Sequence, residues 1–175
     1  MSNILPEVVN NFNVYYGEES NQLVGVSGEV ELGELEAITD TIEGAGVLGE
    51  FEDPVTGQFS DIKIKIPFSI LYTDMFDLMD TTTPPMITMR GSQQCMDPTT
   101  GVTDYYAVKI VIKGKASNTN LGKLVKGKKG EPELELSAFY IKLTINDKEV
   151  IELDKLNFKF SLNGKDMLEK IRQQV

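Results

Sequence analysis

The chain has 175 residues, 41% hydrophobic and 25% charged, with 17 basic side chains against 27 acidic ones and a net charge of -10. That balance belongs to a folded globular chain and is too apolar for a disordered one, and the length suits one domain, residues 1–175, with room for long excursions. Histidine is absent and Cys95 is the one cysteine, which excludes Ser-His-Asp and Cys-His nucleophile pairs, the two-histidine-carboxylate iron site, Cys-based zinc and an internal disulfide.

The carboxylates and lysines that remain are ordinary surface residues, so no catalytic, metal-binding or cofactor-binding residue is expected, and neither is an enzyme. Met1 to Asn11 lack the charged start and apolar run of a secretory signal, and no later stretch reaches the roughly 20 apolar residues of a membrane span. A soluble protein of a reducing cytoplasm, with no membrane partner, is the expectation.

Along the chain, Phe12 to Tyr16 reads as a short aromatic strand, Gly17 to Asn21 as a turn, and Leu23 to Leu32 as an alternating strand broken by Gly25 and Gly28, together a hairpin. Asp61 to Ile66 alternates strictly between charged and isoleucine residues, a half-buried strand that Pro67 ends or places at a sheet edge. Leu71, Met75, Leu78 and Met79 stand at helical spacing, with Ser69 as a possible N-cap, and predict a short helix over the sheet. Methionines and aromatics there are core filler first.

Met86 to Cys95 returns to extended structure, Asp97 to Gly101 is a turn, and Tyr105 to Lys113 is a long strand, making a second hairpin. Cys95 reads as a small strand residue. Leu134, Leu136 and Ala138 alternate, then Phe139, Ile141, Leu143 and Ile145 continue in the opposite phase, which predicts a bulge before the tight turn at Asn146-Asp147. Val150 to Asp154 and Phe158 to Leu162 follow as strands, and Asp154-Lys155 reads as a local ion pair. Asn163 to Asp166 introduces a terminal amphipathic helix with Met167, Leu168 and Ile171 on one face. The sum is a mainly β protein, an antiparallel sandwich or barrel with two short helices and long interaction loops.

Charge is polarised along the chain. Residues 1–60 hold twelve Asp and Glu and no Lys or Arg, whereas seven lysines and no acid lie between Tyr105 and Gly130. An acidic and a basic face on one molecule favour head-to-tail contact between copies, which repeats into rings or filaments. Chance plus solubility is the plainer reading, and nucleic-acid binding by the lysine run is disfavoured by a pI near 4.5.

Two stretches do not fit the core. Glu34 to Phe59 is glycine-rich, and its Gly44, Gly46, Val47, Leu48, Phe51 and Phe59 suggest an arm whose apolar anchors order on a partner. Gly44, Gly46 and Gly49 are not a phosphate loop, because no Lys-Ser/Thr follows and no strand runs into a helix. Lys113 to Pro132 is a basic loop in which Lys123, Lys126, Lys128 and Lys129 are the contact candidates.

Asn11-Phe12-Asn13-Val14-Tyr15 with Gly25 to Leu32, Glu43 to Glu50, Ile66-Pro67-Phe68, Met89-Arg90-Gly91 with Gln94, and above all Leu153 to Phe158 and Leu162 to Arg172 resemble the major tail tube proteins of contractile-tailed phages over nearly the whole chain. The resemblance implies packed antiparallel sheets, rings usually of six that stack into a tube, and a glycine-rich arm crossing to a neighbouring subunit. It also implies a sheath around the tube, baseplate and tail terminator proteins at its ends, and tape measure and DNA in the lumen without specific binding. The place implied is the virion tail, assembled in the bacterial host cytoplasm. An acidic lumen would let a polyanion slide. Alternatives that the residues leave open are the tube of a phage-tail-like bacteriocin or secretion system and, in a different class, a non-catalytic β-sandwich binding module.

Overall fold

The computed structural model describes residues 4–17 and 21–175. Eleven strands and two short helices follow in chain order: β1 Leu5–Tyr16, β2 Asn21–Gln22, β3 Ala37–Glu43, β4 Glu50–Phe59, β5 Ile62–Pro67, α1 Thr73–Asp77, β6 Met86–Met96, β7 Thr103–Asn120, β8 Glu133–Ile145, β9 Lys148–Asp154, β10 Lys159–Leu162, β11 Lys165–Asp166 and α2 Glu169–Arg172. All ladders are antiparallel. The main sheet runs β11-β10-β9-β8-β7-β6-β1-β2 with β5 on β8, and β3-β4 forms a separate two-stranded sheet.

β8 organises the molecule. Its first half, Glu133 to Ala138, pairs with β5, and its second half, Tyr140 to Ile145, pairs with β9. β7 runs along its other side, with a register shift where Lys113 faces Tyr140 but Gly114 faces Ala138. Phe139 is the extra residue there, the bulge that the phase change predicts, and a bulge bends the strand that carries it. The isoleucines of β5 therefore meet the other half of the sheet: Ile62, Ile64, Ile66, Leu134 and Leu136 pack in one cluster with Ile87, Met89, Ile112, Leu153 and Phe160. Lys63 and Lys65 alternate outward. The β8–β9 turn uses Asn146 and Asp147, at φ 47° and 60°, the left-handed pair that a two-residue hairpin prefers.

Several expectations are corrected. The hairpin expected over residues 12–32 is cut short: only Tyr15 and Tyr16 meet β2, at Gln22 and Asn21, and β1 pairs along its length with β6 instead. Residues 18–20 of the expected turn lie outside the described residues. Gly25, at φ 103°, breaks the alternation, so Leu23 to Leu32 becomes a strap with single bridges from Val26 to Phe68 and from Glu31 to Lys65. It covers the core with Leu23, Val26 and Val30.

The first helix is shorter than its periodicity suggests. Tyr72 stands at its N-cap, Met75 and Leu78 are buried, and Leu71 and Met79 are exposed. Ser69 instead donates its amide to the Gly25 carbonyl and accepts from the Gly130 amide. At the C-terminus β11 precedes a helix of only one turn, which leaves Leu168 buried and Ile171 exposed.

Candidate assembly surfaces

The glycine-rich stretch is an ordered hairpin and not a loop. Gly44, Gly46 and Gly49 hold φ of 141°, 92° and 89°, which turns the chain between β3 and β4 where a side-chain residue would be strained. Register places Ile42 opposite Phe51, Asp40 opposite Asp53 and Glu43 opposite Glu50. Alternation then puts Ile38, Asp40, Ile42, Phe51, Asp53 and Val55 on one face. All four apolar members are exposed, as are Val47 and Leu48 at the tip, Leu48 completely.

Only the root of this hairpin is tied down. Phe59 packs edge-to-face on Phe160 at 5.1 Å, so this member of the expected arm belongs to the chain's own core margin. The Lys155 ammonium donates to the carbonyls of Phe59 at 3.2 Å and Ser60 at 2.7 Å. Asp154, expected as its ion-pair partner, accepts from the amides of Leu156 and Asn157.

The basic stretch divides in two. Lys113 and Lys115 lie on β7, which continues to Asn120, so the loop proper is Leu121 to Pro132. The Lys123 amide donates to the Gly130 carbonyl, the Gly130 amide to Ser69 and the Phe68 amide to Pro132, pinning both ends of the loop beside the end of β5. Lys123 pairs with Glu131 at 3.4 Å in the open. Lys126, Lys128 and Lys129 are exposed and, among the described residues, meet no carboxylate. Composition concealed Leu121, Leu124 and Val125, which stand exposed among these lysines. The hairpin root and the lysine loop lie beyond opposite ends of β5, roughly 17 Å apart along the strand.

Two further features complete the surface. Among the described residues no strand pairs with the outer edge of β1 from Leu5 to Asn13, where Leu5, Val8 and Val9 are exposed. A groove of about 620 Å³ runs between this strand and the strap, lined by Phe12, Val26, Leu32 and Ile110 among others.

On β8 to β10 a polar network is closed upon itself: Tyr140 donates to Glu152 at 3.0 Å, Lys159 to Glu152 at 2.6 Å, Ser161 to Glu149 at 2.7 Å, and Lys142 stands 3.1 Å from Glu149. Burial, reinforced by Glu152, pushes the Tyr140 phenol up to about 12, while the Ser161 and Lys142 hydrogen bonds hold Glu149 below the usual carboxylate range. These are structural pairings, each donor with its acceptor. Among the described residues no group of three or more metal-ligating side chains converges.

The tail tube protein of Escherichia phage P2 is 26% identical over 174 residues, 98% of each chain. In the cryo-EM structure of an extracellular contractile injection system, the PVC sheath/tube terminator in its extended state, one chain matches with a TM-score of 0.55 at 15% identity, over 79% of this chain and 96% of that one. A chain of the PVC sheath-tube complex, also extended, matches at 0.54 and 15% identity over 79% and 91%. These two likenesses show a shared fold. The model of one protein family, described as phage tail tube protein FII, matches residues 6–175, and the chain belongs to that family.

Proposed function

We propose that this chain is a structural subunit, without chemistry of its own, that polymerises into stacked rings to form the inner tube of a contractile phage tail, the conduit for DNA. The observation that carries the reading is the β3–β4 hairpin. A lone two-stranded ribbon is marginal in water, and this one exposes apolar side chains at Ile38, Ile42, Val47, Leu48, Phe51 and Val55 with no second layer among the described residues of its own chain. A neighbouring copy supplies that layer.

Six-fold rings, a sheath outside, terminator and baseplate proteins at the ends, and tape measure and DNA passing within are the partners this reading assigns. The likeness to extracellular injection-system chains supports a second reading, a tube of the same build that carries a cargo other than a genome.

Negative-stain electron microscopy of the purified protein at low and high salt tests the proposal, with hollow tubes or stacked rings expected. Deleting Gly44 to Pro54 leaves a folded monomer that forms none. Normal tubes from the deletion would remove the hairpin from the assembly, and a monomer under every condition would remove the proposal.

A further inference from the structure

The hairpin has an arrangement that is unfavourable within one chain. Asp40 and Asp53 stand directly opposite each other across the two strands, at the centre of the face made by Ile38, Ile42, Phe51 and Val55. Glu43 and Glu50 repeat the like-charge pairing three residues nearer the tip, on the opposite face. Like charges directly opposite destabilise a ladder. Residues 34–59 hold seven acids and no base, so no cation in the hairpin offsets the repulsion. The face needs a surface that is apolar and cationic at once.

One such surface stands out on the molecule. In the Leu121 to Pro132 loop, exposed Leu121, Leu124 and Val125 are interleaved with Lys126, Lys128 and Lys129. The C-terminal end of the loop is fixed by backbone hydrogen bonds from Gly130 and Glu131 to Ser69 and from Phe68 to Pro132, and the Lys123 amide ties its N-terminal side to Gly130, so the loop is presented as a shaped surface. It lies off the end of β5 opposite to the hairpin root, where Lys155 and Phe160 hold Phe59. That placement directs the pairing to another molecule and makes it heterologous, one copy's hairpin on the next copy's loop, a contact that propagates.

We infer that the Asp40–Asp53 face of the hairpin docks on the Leu121–Lys129 loop of a second copy of this chain, with lysine ammonium groups seated against the paired aspartates and the leucines against Ile42 and Phe51. This inference rests on the tube-subunit reading and names its acceptor surface.

Charge reversal in two places tests it. D40K/D53K and K126E/K128E/K129E are each expected to lose tube formation at low salt while remaining folded by circular dichroism, and a chain carrying all five substitutions is expected to regain it. Assembly of either single-sided variant at the wild-type yield, or no recovery in the five-fold variant, would overturn the inference.

Wild-type tubes grown from a mixture of unlabelled and nitrogen-15-labelled protein provide a second measurement that needs no variant. Carbodiimide, which joins carboxylate to amine without a spacer, is expected to link residues 37–59 of one copy to residues 121–132 of another. Links from the hairpin only to lysines elsewhere, such as those on β7, would overturn the docking site and leave the tube reading intact. Failure of the wild-type protein to form rings or tubes would overturn the tube reading itself.

Discussion

Lys155 holds Ser60 from across the fold: its ammonium, presented from the turn between β9 and β10, donates to the Ser60 carbonyl at 2.7 Å and to that of Phe59 at 3.2 Å. The two contacts fasten the last residue of the hairpin to the body of the protein. Lys155→Met keeps most of the apolar stem, lacks the terminal ammonium and so removes both bonds. The expected cost is about 1–2 kcal/mol in urea unfolding, because hydrogen bonds to charged groups contribute about that much when half-buried. Limited proteolysis should show faster cleavage in the hairpin. An unchanged cleavage rate would mean that Phe59 on Phe160 suffices to hold the root.

Gly114 has no room for a side chain. A Cβ there would lie 2.6 Å from the Ser137 carbonyl oxygen, which is backbone and cannot swing away. Gly114→Ala should cost about 1–3 kcal/mol by overpacking. At Gly91 the nearest atom to an added Cβ is the Asn11 oxygen at 3.5 Å, an ordinary contact, and Gly91→Ala should stay within about 0.5 kcal/mol. Equal losses at the two sites in thermal unfolding would contradict the bent β7–β8 geometry.

Stability and assembly should separate at two leucines. Leu136 is fully buried between β5 and β7, and Leu136→Ala should cost about 2–5 kcal/mol. Leu48 at the hairpin tip is fully exposed. Leu48→Asp should leave Tm unchanged and reduce the yield of tubes pelleted from solution. A fall in Tm at Leu48 would place that side chain against its own chain.

The phenol of Tyr140 gives a pH signature. Its value in the folded protein is pushed up to about 12 from 10.0, chiefly by burial and then by the hydrogen bond to Glu152. A raised value means that the protonated form is favoured on folding, so the contribution to stability is complete below pH 10 and is lost as pH rises towards 12. Absorbance at 295 nm during alkaline titration should show Tyr140 ionising in a late step, with Tyr72, whose phenol burial also raises, likewise above the ordinary tyrosine range. Tyr140→Phe should remove that step and flatten the loss of stability over the same window.

Much of this fold was legible in the sequence wherever one face of a strand is buried. The Ile62-Lys63-Ile64-Lys65-Ile66 alternation and the phase change at Phe139 each report a physical constraint, the pleat in one case and an extra residue in the other. Pairing partners were not legible, because alternation identifies a strand and not its neighbour. The aromatic strand at Phe12 to Tyr16 lies beside β6, far along the chain, while the adjacent Leu23 to Leu32 segment covers the core as a strap.

The hairpin as an element was half visible. Gly44, Gly46, Val47, Leu48 and Phe51 do lie on a projecting element, whereas Phe59 belongs to its root. The alternation of Ile38, Asp40 and Ile42 was the available sign that the arm is a strand pair, and neighbouring glycines masked it. The aspartate pair requires the register, which composition does not contain.

The pairing of Leu5 to Tyr16 with Ile87 to Met96 has a consequence for how the protein is made. A ribosome delivers β1 before β6, which follows only after the strap, the hairpin, β5 and α1 have emerged. For that interval a strand bearing Val8, Val9, Phe12 and Val14 waits without its neighbour. The β6-β7-β8-β9 meander, joined by local turns, can close as soon as it appears and then serve as the template on which β1 is laid. Topology of this kind folds in milliseconds to seconds and not microseconds, so β1, made well before its neighbour, is among the last strands to find its place.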